Sequence, residues 1–251
     1  PVHDDPVRLT NIDWQLHRQA LLDRFRVAEL NVVNDFQAAA LGAVVDATET
    51  TRTLNAGSGQ AGPIVVAGAG TGLGMAWFPD SRNPTMPQAT EGGHLDFAPV
   101  NQEQVALYHW LADRYGHVSY ERILSGNGLL DSYRFVAAEA ATATSAAGVT
   151  AAARRDDAHA LKAVHLFVEI FAAYAGNLAL AFNPTAGIYL CGGVTAHLAD
   201  WFQVDRFLAA YAAKGRMRGV VQRIPVYLVT RRDAGLAGAV MIARNSYRAD
   251  S

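Results

Sequence analysis

The chain has a single cysteine, Cys191, among its 251 residues. A lone thiol excludes an internal disulfide framework and any zinc site built from several cysteines, and it suits a reducing cytoplasm. Charge of one sign is also missing: 21 Lys plus Arg stand against 23 Asp plus Glu, a formal net charge of -2. With no broad basic field to hold phosphate backbones or acidic headgroups, the composition argues against nucleic acid and membrane surfaces as partners. No uninterrupted apolar run is long enough to cross a bilayer. The opening PVHDDPVRLT has neither the charged start nor the apolar stretch of a secretory leader. It also lacks an initiating Met, as expected of a processed product or of a chain that begins partway through a longer one. No GxxxxGK[ST] segment occurs, which removes the P-loop, and no repeat at solenoid period is visible.

What is present is apolar and periodic. At 51% hydrophobic residues, the chain can bury the core of one large domain or of two smaller ones sharing a cleft. Short β runs alternate with helical patterns, the mark of an α/β protein. Leu30 to Val33 reads as a strand feeding a helix over about Phe36 to Val45. Residues 46 to 62, polar and glycine-rich, read as a surface loop and domain crossing. Strands are expected at Pro63 to Val66 and Met75 to Phe78 around a glycine turn, and SRNPTMPQATEGG reads as loop. Helical patterns follow at about 102 to 115, 119 to 124 and 128 to 140. The alanine and threonine stretch at 140 to 153 reads as an exposed connection. The longest helix runs from about Asp157 to Phe182, strongly apolar and therefore buried. Strands at Ile188 to Cys191 and Pro225 to Thr230 and a last helix from about Leu236 to Tyr247 complete the pattern.

Four segments concentrate chemistry. In NVVNDFQAAALG, at 31 to 42, Asn34 and Asp35 end an apolar run just before an alanine-rich helix, so the carboxylate is either a cap or a working group. GAGTGLG, at 68 to 74, imitates a dinucleotide fingerprint, but Leu73 stands where the third glycine belongs, and a strand follows instead of a helix. What remains is a glycine hairpin with Thr71 at its tip, whose backbone N–H groups could approach an anion, or a plain hairpin. EGGHLDF, at 91 to 97, is a poor metal motif, because its glycines disfavour the helix that would align Glu91 with His94. It can present a carboxylate and an imidazole to a polar organic ligand, or hold a surface glutamate and a satisfied histidine. In HVSYERILSGNG, at 117 to 128, Ser119 as N-cap and Glu121 in the first turn have a complete structural explanation.

In order along the chain, NVVNDFQAAALGA, VVAGAGTGLGMA, EGGHLDFAP, GHVSYERILSGNGL, AGNLALAF and CGGVTAHL resemble the bacterial glucokinase family of the actin-like ATPase, hexokinase-type superfamily. The likeness extends over almost the whole chain and includes the closing IPVYLVTRRDAGLAGA. Each block is weak alone, and their shared order is what carries the resemblance. It implies an α/β fold of ribonuclease H-like (actin-like ATPase) architecture with two domains flanking a cleft. Residues 1–45 with 234–251 would belong to the small domain and 46–233 to the large one. It implies ATP-dependent phosphorylation of glucose, with Asp35 as the general base that accepts the proton of the sugar's primary hydroxyl. Asn34, Glu91, His94 and Glu121 would hydrogen-bond the sugar. Gly70, Thr71 and Gly72 would form a phosphate turn, and Gly192 and Gly193 an adenosine motif. ATP and Mg²⁺ are the implied cofactors, the cytoplasm the implied location, a homodimer is compatible with family habit, and Asn177 of AGNLALAF is read as structural. The family's opening D-x-G-G-T turn has no counterpart here, so the resemblance implies an incomplete small domain and low turnover by this chain alone. A sugar-binding regulator, an inactive partner subunit and a kinase for another hexose are the alternatives, as are ADP or polyphosphate as phosphoryl donor.

Overall fold

The computed structural model describes residues 6–8, 14–45, 50–84 and 86–249. Two short strands, β1 (Val7–Arg8) and β2 (Gln15–Leu16), pair antiparallel and lead into α1 (Arg18–Phe25). The next helix, α2 (Asp35–Val44), starts at a complete capping box. Asn34 Oδ1 accepts from Phe36 N at 3.0 Å and Gln37 N at 3.2 Å, while Gln37 Oε1 accepts from Asn34 N at 3.3 Å. Asn34 is therefore the cap. Asp35 is left in the first turn, where the positive end of the helix favours its charge.

A six-stranded sheet follows in the order β3-β8-β7-β4-β5-β6. Its members are β3 (Thr51–Asn55), β4 (Ile64–Ala69), β5 (Leu73–Phe78), β6 (Gln88–Thr90), β7 (Gly187–Cys191) and β8 (Val226–Val229). β7 runs parallel to both β4 and β8, and the other pairings are antiparallel. Helices α3 (Gln102–Tyr115), α4 (Gly126–Ala137), α5 (Ala146–Ala153) and α6 (Ala158–Phe182) lie between β6 and β7. The short α7 (Gly193–His197), α8 (Val204–Tyr211) and α9 (Arg218–Gln222) separate β7 from β8, and α10 (Ala234–Ala249) comes last.

The pleat divides the core. From β4 and β5, Val65, Ala67, Ala69, Leu73 and Met75 point into a large cluster built around α6, while Ile64, Val66, Ala76 and Phe78 point into a smaller one under α2 and α10. Helix α6 is long and apolar enough to span a bilayer, but 78% of its most apolar window is buried inside the fold. Its composition is that of a core helix.

Several expectations need correction. Leu30 to Val33 forms no strand; it runs without regular secondary structure into the cap, and Val33 packs on the smaller cluster. Leu30, Val32 and Val33 favour extension, but a strand also needs a neighbouring ladder. The segment 46 to 62 is not all loop. Residues 46–49 lie outside the description, and Thr51–Asn55 forms the edge strand β3, pairing Thr51 with Val229 and Thr53 with Tyr227. Its polar residues suit a strand at the end of the sheet and hid it from a hydrophobicity reading. The loop at 81 to 93 contains β6, which extends the sheet beyond β5. The stretch at 140 to 153 holds α5, capped by Ser145 Oγ accepting from Gly148 N at 3.1 Å. The helix expected at 119 to 124 is a single 3-10 turn, Tyr120–Arg122, and the Ser119 side chain makes no cap bond there.

Candidate active site

The β4–β5 hairpin is the meeting point of the candidate residues. Its turn is tight: Gly70 N donates to Gly72 O at 2.8 Å. On one side, the ring of Phe36 lies where a β-carbon at Gly68 or Gly74 would sit, so the first turn of α2 rests directly on the hairpin. Gln37 Nε2 adds a bond to Pro87 O at 2.9 Å, tying the same turn to the segment before β6. Asn34 and Asp35, both exposed, are thus held at the edge of the hairpin by the two residues after them. Asp35 Oδ1 accepts from Phe36 N at 2.7 Å.

On the other side stands Glu121. Its Oε2 accepts from Leu73 N at 2.9 Å, and a β-carbon at Gly72 would press on that same oxygen at 2.5 Å. Glycine at 72 is what lets the carboxylate reach the backbone, and one carboxylate oxygen stays available for a ligand. The loop bearing Glu91 and His94 is a 3-10 turn, Gly92–His94, whose Gly93 abuts the Leu73 carbonyl. Both side chains are exposed, with His94 Nε2 3.9 Å from Glu91 Oε2. This loop is joined to the segment bearing Glu121 by Phe97 N to Val118 O and Tyr120 N to Leu95 O, each 2.9 Å, and by the bridge between Asp96 and Ser119.

Across the turn lies a cavity of about 620 Å³, lined by Gly70, Thr71, Asn127, Arg154, Gly193 and His197 among others. A β-carbon at Gly70 or Gly193 would meet no described atom within 4 Å beyond its own stretch of chain, so a bound molecule has close access to the backbone there. Gly192 serves differently. At φ 101 it holds a backbone conformation that side chains rarely adopt, pressed against Ala69. It turns the chain from β7 into α7, and the cavity wall begins with the next residue. Gly126 N donates to Gly70 O at 2.9 Å, fastening α4 to the same turn. Asn127, Arg154 and His197 in the wall were not singled out from the sequence: Asn127 lies in HVSYERILSGNG and His197 in CGGVTAHL, but neither block assigns them a role, Arg154 lies in no block, and the fold alone brings three separate helix segments together.

Asp35, Glu121 and the Gly70–Gly72 turn are therefore linked through the hairpin, and Glu91 and His94 join through Gly93 and the 117–122 segment. Among the described residues no three His, Cys, Asp or Glu side chains gather as a metal site. Carboxylates on the elements that hold a glycine turn, with that turn lining a cavity of nucleotide size, suit a kinase for a small hydroxylated substrate. Comparison with known proteins narrows the class. The Glucokinase family profile matches residues 1–246. The glucokinase of Chromohalobacter salexigens is 41% identical over 251 residues, covering 98% of this chain and 78% of its own. That of Hahella chejuensis is 36% identical over 250 residues with the same coverage. A solved glucokinase from an Antarctic psychrotroph superposes with a TM-score of 0.83 at 28% identity, over 98% of this chain and 78% of that one. A Streptomyces griseus ROK family glucokinase in complex with glucose and AMPPNP shares the fold, with a TM-score of 0.65 at 20% identity over 94% and 75% of the two chains. The fold is that of the actin-like ATPase sugar kinases, and the chain belongs to the glucokinase family.

Proposed function

We propose that this chain transfers the terminal phosphoryl group of ATP to the 6-hydroxyl of glucose, with Asp35 as general base. The observation that carries this reading is the bond from Leu73 N to Glu121 Oε2. It joins the sugar-side loops to the phosphate turn, while α2 seats Asp35 on the same hairpin through Phe36. Glucose would lie against Asn34, Glu91, His94 and Glu121. Carboxylates suit a polyol, because each accepts from adjacent O–H groups, and an analogue lacking one hydroxyl leaves a buried acceptor unpaired. The Asn34 Oδ1 atom is committed to the cap, so its amide N–H₂ is the group left to donate to a sugar oxygen.

ATP would occupy the cavity, with phosphates over Gly70, Thr71 and Gly72, and its adenosine beside Gly193, the position of which is fixed by the turn at Gly192. In the reaction, the 6-hydroxyl oxygen bonds to the terminal phosphorus as the bond to the bridging oxygen of ADP breaks. The hydroxyl proton passes to Asp35. In a loose transition state that proton leaves late, so the carboxylate first orients the hydroxyl and then accepts. Mg²⁺ fits as a companion of the nucleotide, since it keeps waters and phosphate oxygens and needs few protein carboxylates. It would neutralise charge on the transferred phosphate.

The grouping of residues 1–45 with 234–251, apart from 46–233, is supported by the packing of α2 on α10. Helix α6 buries most of its apolar surface inside the chain, so a homodimer would draw instead on α10, where Leu236 and Val240 face outward. A cytoplasmic setting matches the need for ATP. Calorimetry with glucose, then with ATP and Mg²⁺, tests the whole reading. Binding of both ligands is expected; glucose binding alone indicates a sugar-binding regulator, and binding of neither overturns the proposal.

A further inference from the structure

Helix α6 carries Tyr174 and Asn177 one helical turn apart in a stretch that is otherwise alanine, glycine and leucine. Each side chain donates to one of the two segments that carry the candidate sugar residues. Tyr174 Oη donates to Gly92 O at 3.0 Å, in the middle of the turn that presents Glu91 and His94. Asn177 Nδ2 donates to Tyr120 Oη at 2.8 Å, on the residue that precedes Glu121. The rings of Tyr120 and Tyr174 lie 4.5 Å apart, so the two anchor points also touch each other.

The amide of Asn177 is held in one orientation. Lys214 Nζ, arriving from beyond α8, donates to Asn177 Oδ1 at 2.7 Å and to Ala173 O at 2.9 Å. An ammonium can only donate, so Oδ1 faces it and Nδ2 is turned toward the phenol. Gly176 makes room for this lysine: a β-carbon there would meet its Cε at 2.5 Å. The arrangement has a cost. Burial pushes the Tyr174 phenol up and the Lys214 ammonium down from their ordinary values. Phenylalanine and leucine would fill the same space with less polar surface to desolvate. Hydroxyl, amide and ammonium are instead spent at the two loops that bear the candidate sugar carboxylates.

We propose that Tyr174 and Asn177 are positioning residues for the sugar: they lock the 91–97 loop and the 117–122 segment in register, so that Glu91, His94 and Glu121 meet the ring hydroxyls as a preset group. They touch no substrate and take no part in nucleotide binding. The inference rests on the sugar-site reading above and adds the device that holds that site.

The decisive variant is Tyr174→Phe, which removes one hydroxyl and little volume. Glucose affinity and the glucose KM should weaken roughly three- to tenfold, with the ATP KM and the kcat at saturating glucose unchanged. Amide exchange across residues 91–97 should quicken. Adding Glu91→Gln should absorb most of the loss, because a loop that no longer delivers its carboxylate has little left to lose by being loosened. A lower Tm with unchanged glucose affinity, or equal weakening of both substrates, overturns the proposal. Asn177→Leu provides an independent arm: it should weaken glucose binding in the same direction while ATP binding persists, and loss of ATP binding alone would count against the clamp. Failure of the unaltered protein to bind glucose would sink the sugar-site reading itself. Unchanged exchange at 91–97 in Tyr174→Phe would sink the clamp alone.

Discussion

On one face of the sheet, the strand side chains meet α6 and a set of rings that includes Phe167, Phe171, Phe202, Phe207 and Tyr211; on the other, Ile64, Val66, Ala76, Phe78, Cys191 and Val229 meet α2 and α10. The thick face is filled by large side chains, many of them without any exposure. The thin face depends on small ones: α2 and α10 cross where Ala38 and Gly42 face Ala234 and Gly238, backbone against backbone. The candidate binding walls, Asn34 excepted, belong to the thick face or to loops resting on it. The candidate base comes from the thin face. Ligand recognition can thus be rigid independently of the chemistry, and alignment of the base relies on a helix pair seated by the absence of side chains.

The comparison can be broken in several ways. The largest effect should come from Asp35→Asn, which is expected to lower kcat by about 10²- to 10⁴-fold and leave glucose affinity nearly unchanged. Coupled-assay rates above a tenth of the parent would remove Asp35 from the mechanism. Next is Glu121→Gln, expected to reduce glucose affinity by about 1.5–3 kcal/mol in calorimetry, with far less change for the nucleotide. Equal loss of both ligands would mean that the residue serves mainly as a strut under Leu73.

Gly238→Leu sharpens the contrast between the faces. Overpacking the crossing should cost about 1–3 kcal/mol in denaturant unfolding and depress kcat while nucleotide-analogue affinity holds. A variant that lost nucleotide binding first would show that the faces are not separable. The smallest effect is alkaline. Burial raises the phenols of Tyr120, Tyr174 and Tyr211 and pushes the Cys191 thiol up to about 12. Groups raised in the folded state contribute stability that is full below their unfolded values, about 8.5 for the thiol and about 10 for the phenols. That contribution is lost as pH rises toward the folded values. Lys214, lowered by burial, pulls the other way. Unfolding curves should show stability declining from about pH 8.5 upward, and an upward trend would contradict the burial of these groups.

The thick face was the legible part. The long apolar run at 157 to 182 is α6 almost to the residue, because a fully buried helix writes its apolarity on every turn. β7 and β8 showed as short apolar runs bounded by glycine or proline. The thin face was harder to read. Leu30 to Val33 carried the local preference of a strand but joins no sheet among the described residues; at the end of the sheet, β3 pairs with β8 but is polar. Of the site, Asp35, Glu91, His94 and Glu121 stood out as carboxylates and an imidazole beside glycines, and their roles came only with the family likeness. Asn127 and His197 sat inside the quoted blocks with no role attached and Arg154 in none, since a cavity wall assembled from three helix segments exists only after folding. The cap at Asn34 was visible as a residue type, yet the choice between Asn34 and Asp35 required the reciprocal bond with Gln37.

The crossing of α2 and α10 also sets an order in time. Everything that lines the cavity, from Gly70 to His197, leaves the ribosome before Ala234. A nascent chain can therefore shape the cavity while the helix bearing Asp35 still lacks its mate. On the proposed assignment of the two sites, alignment of Asp35 waits for α10, so that a polypeptide cut short before Ala234 would hold ATP without spending it.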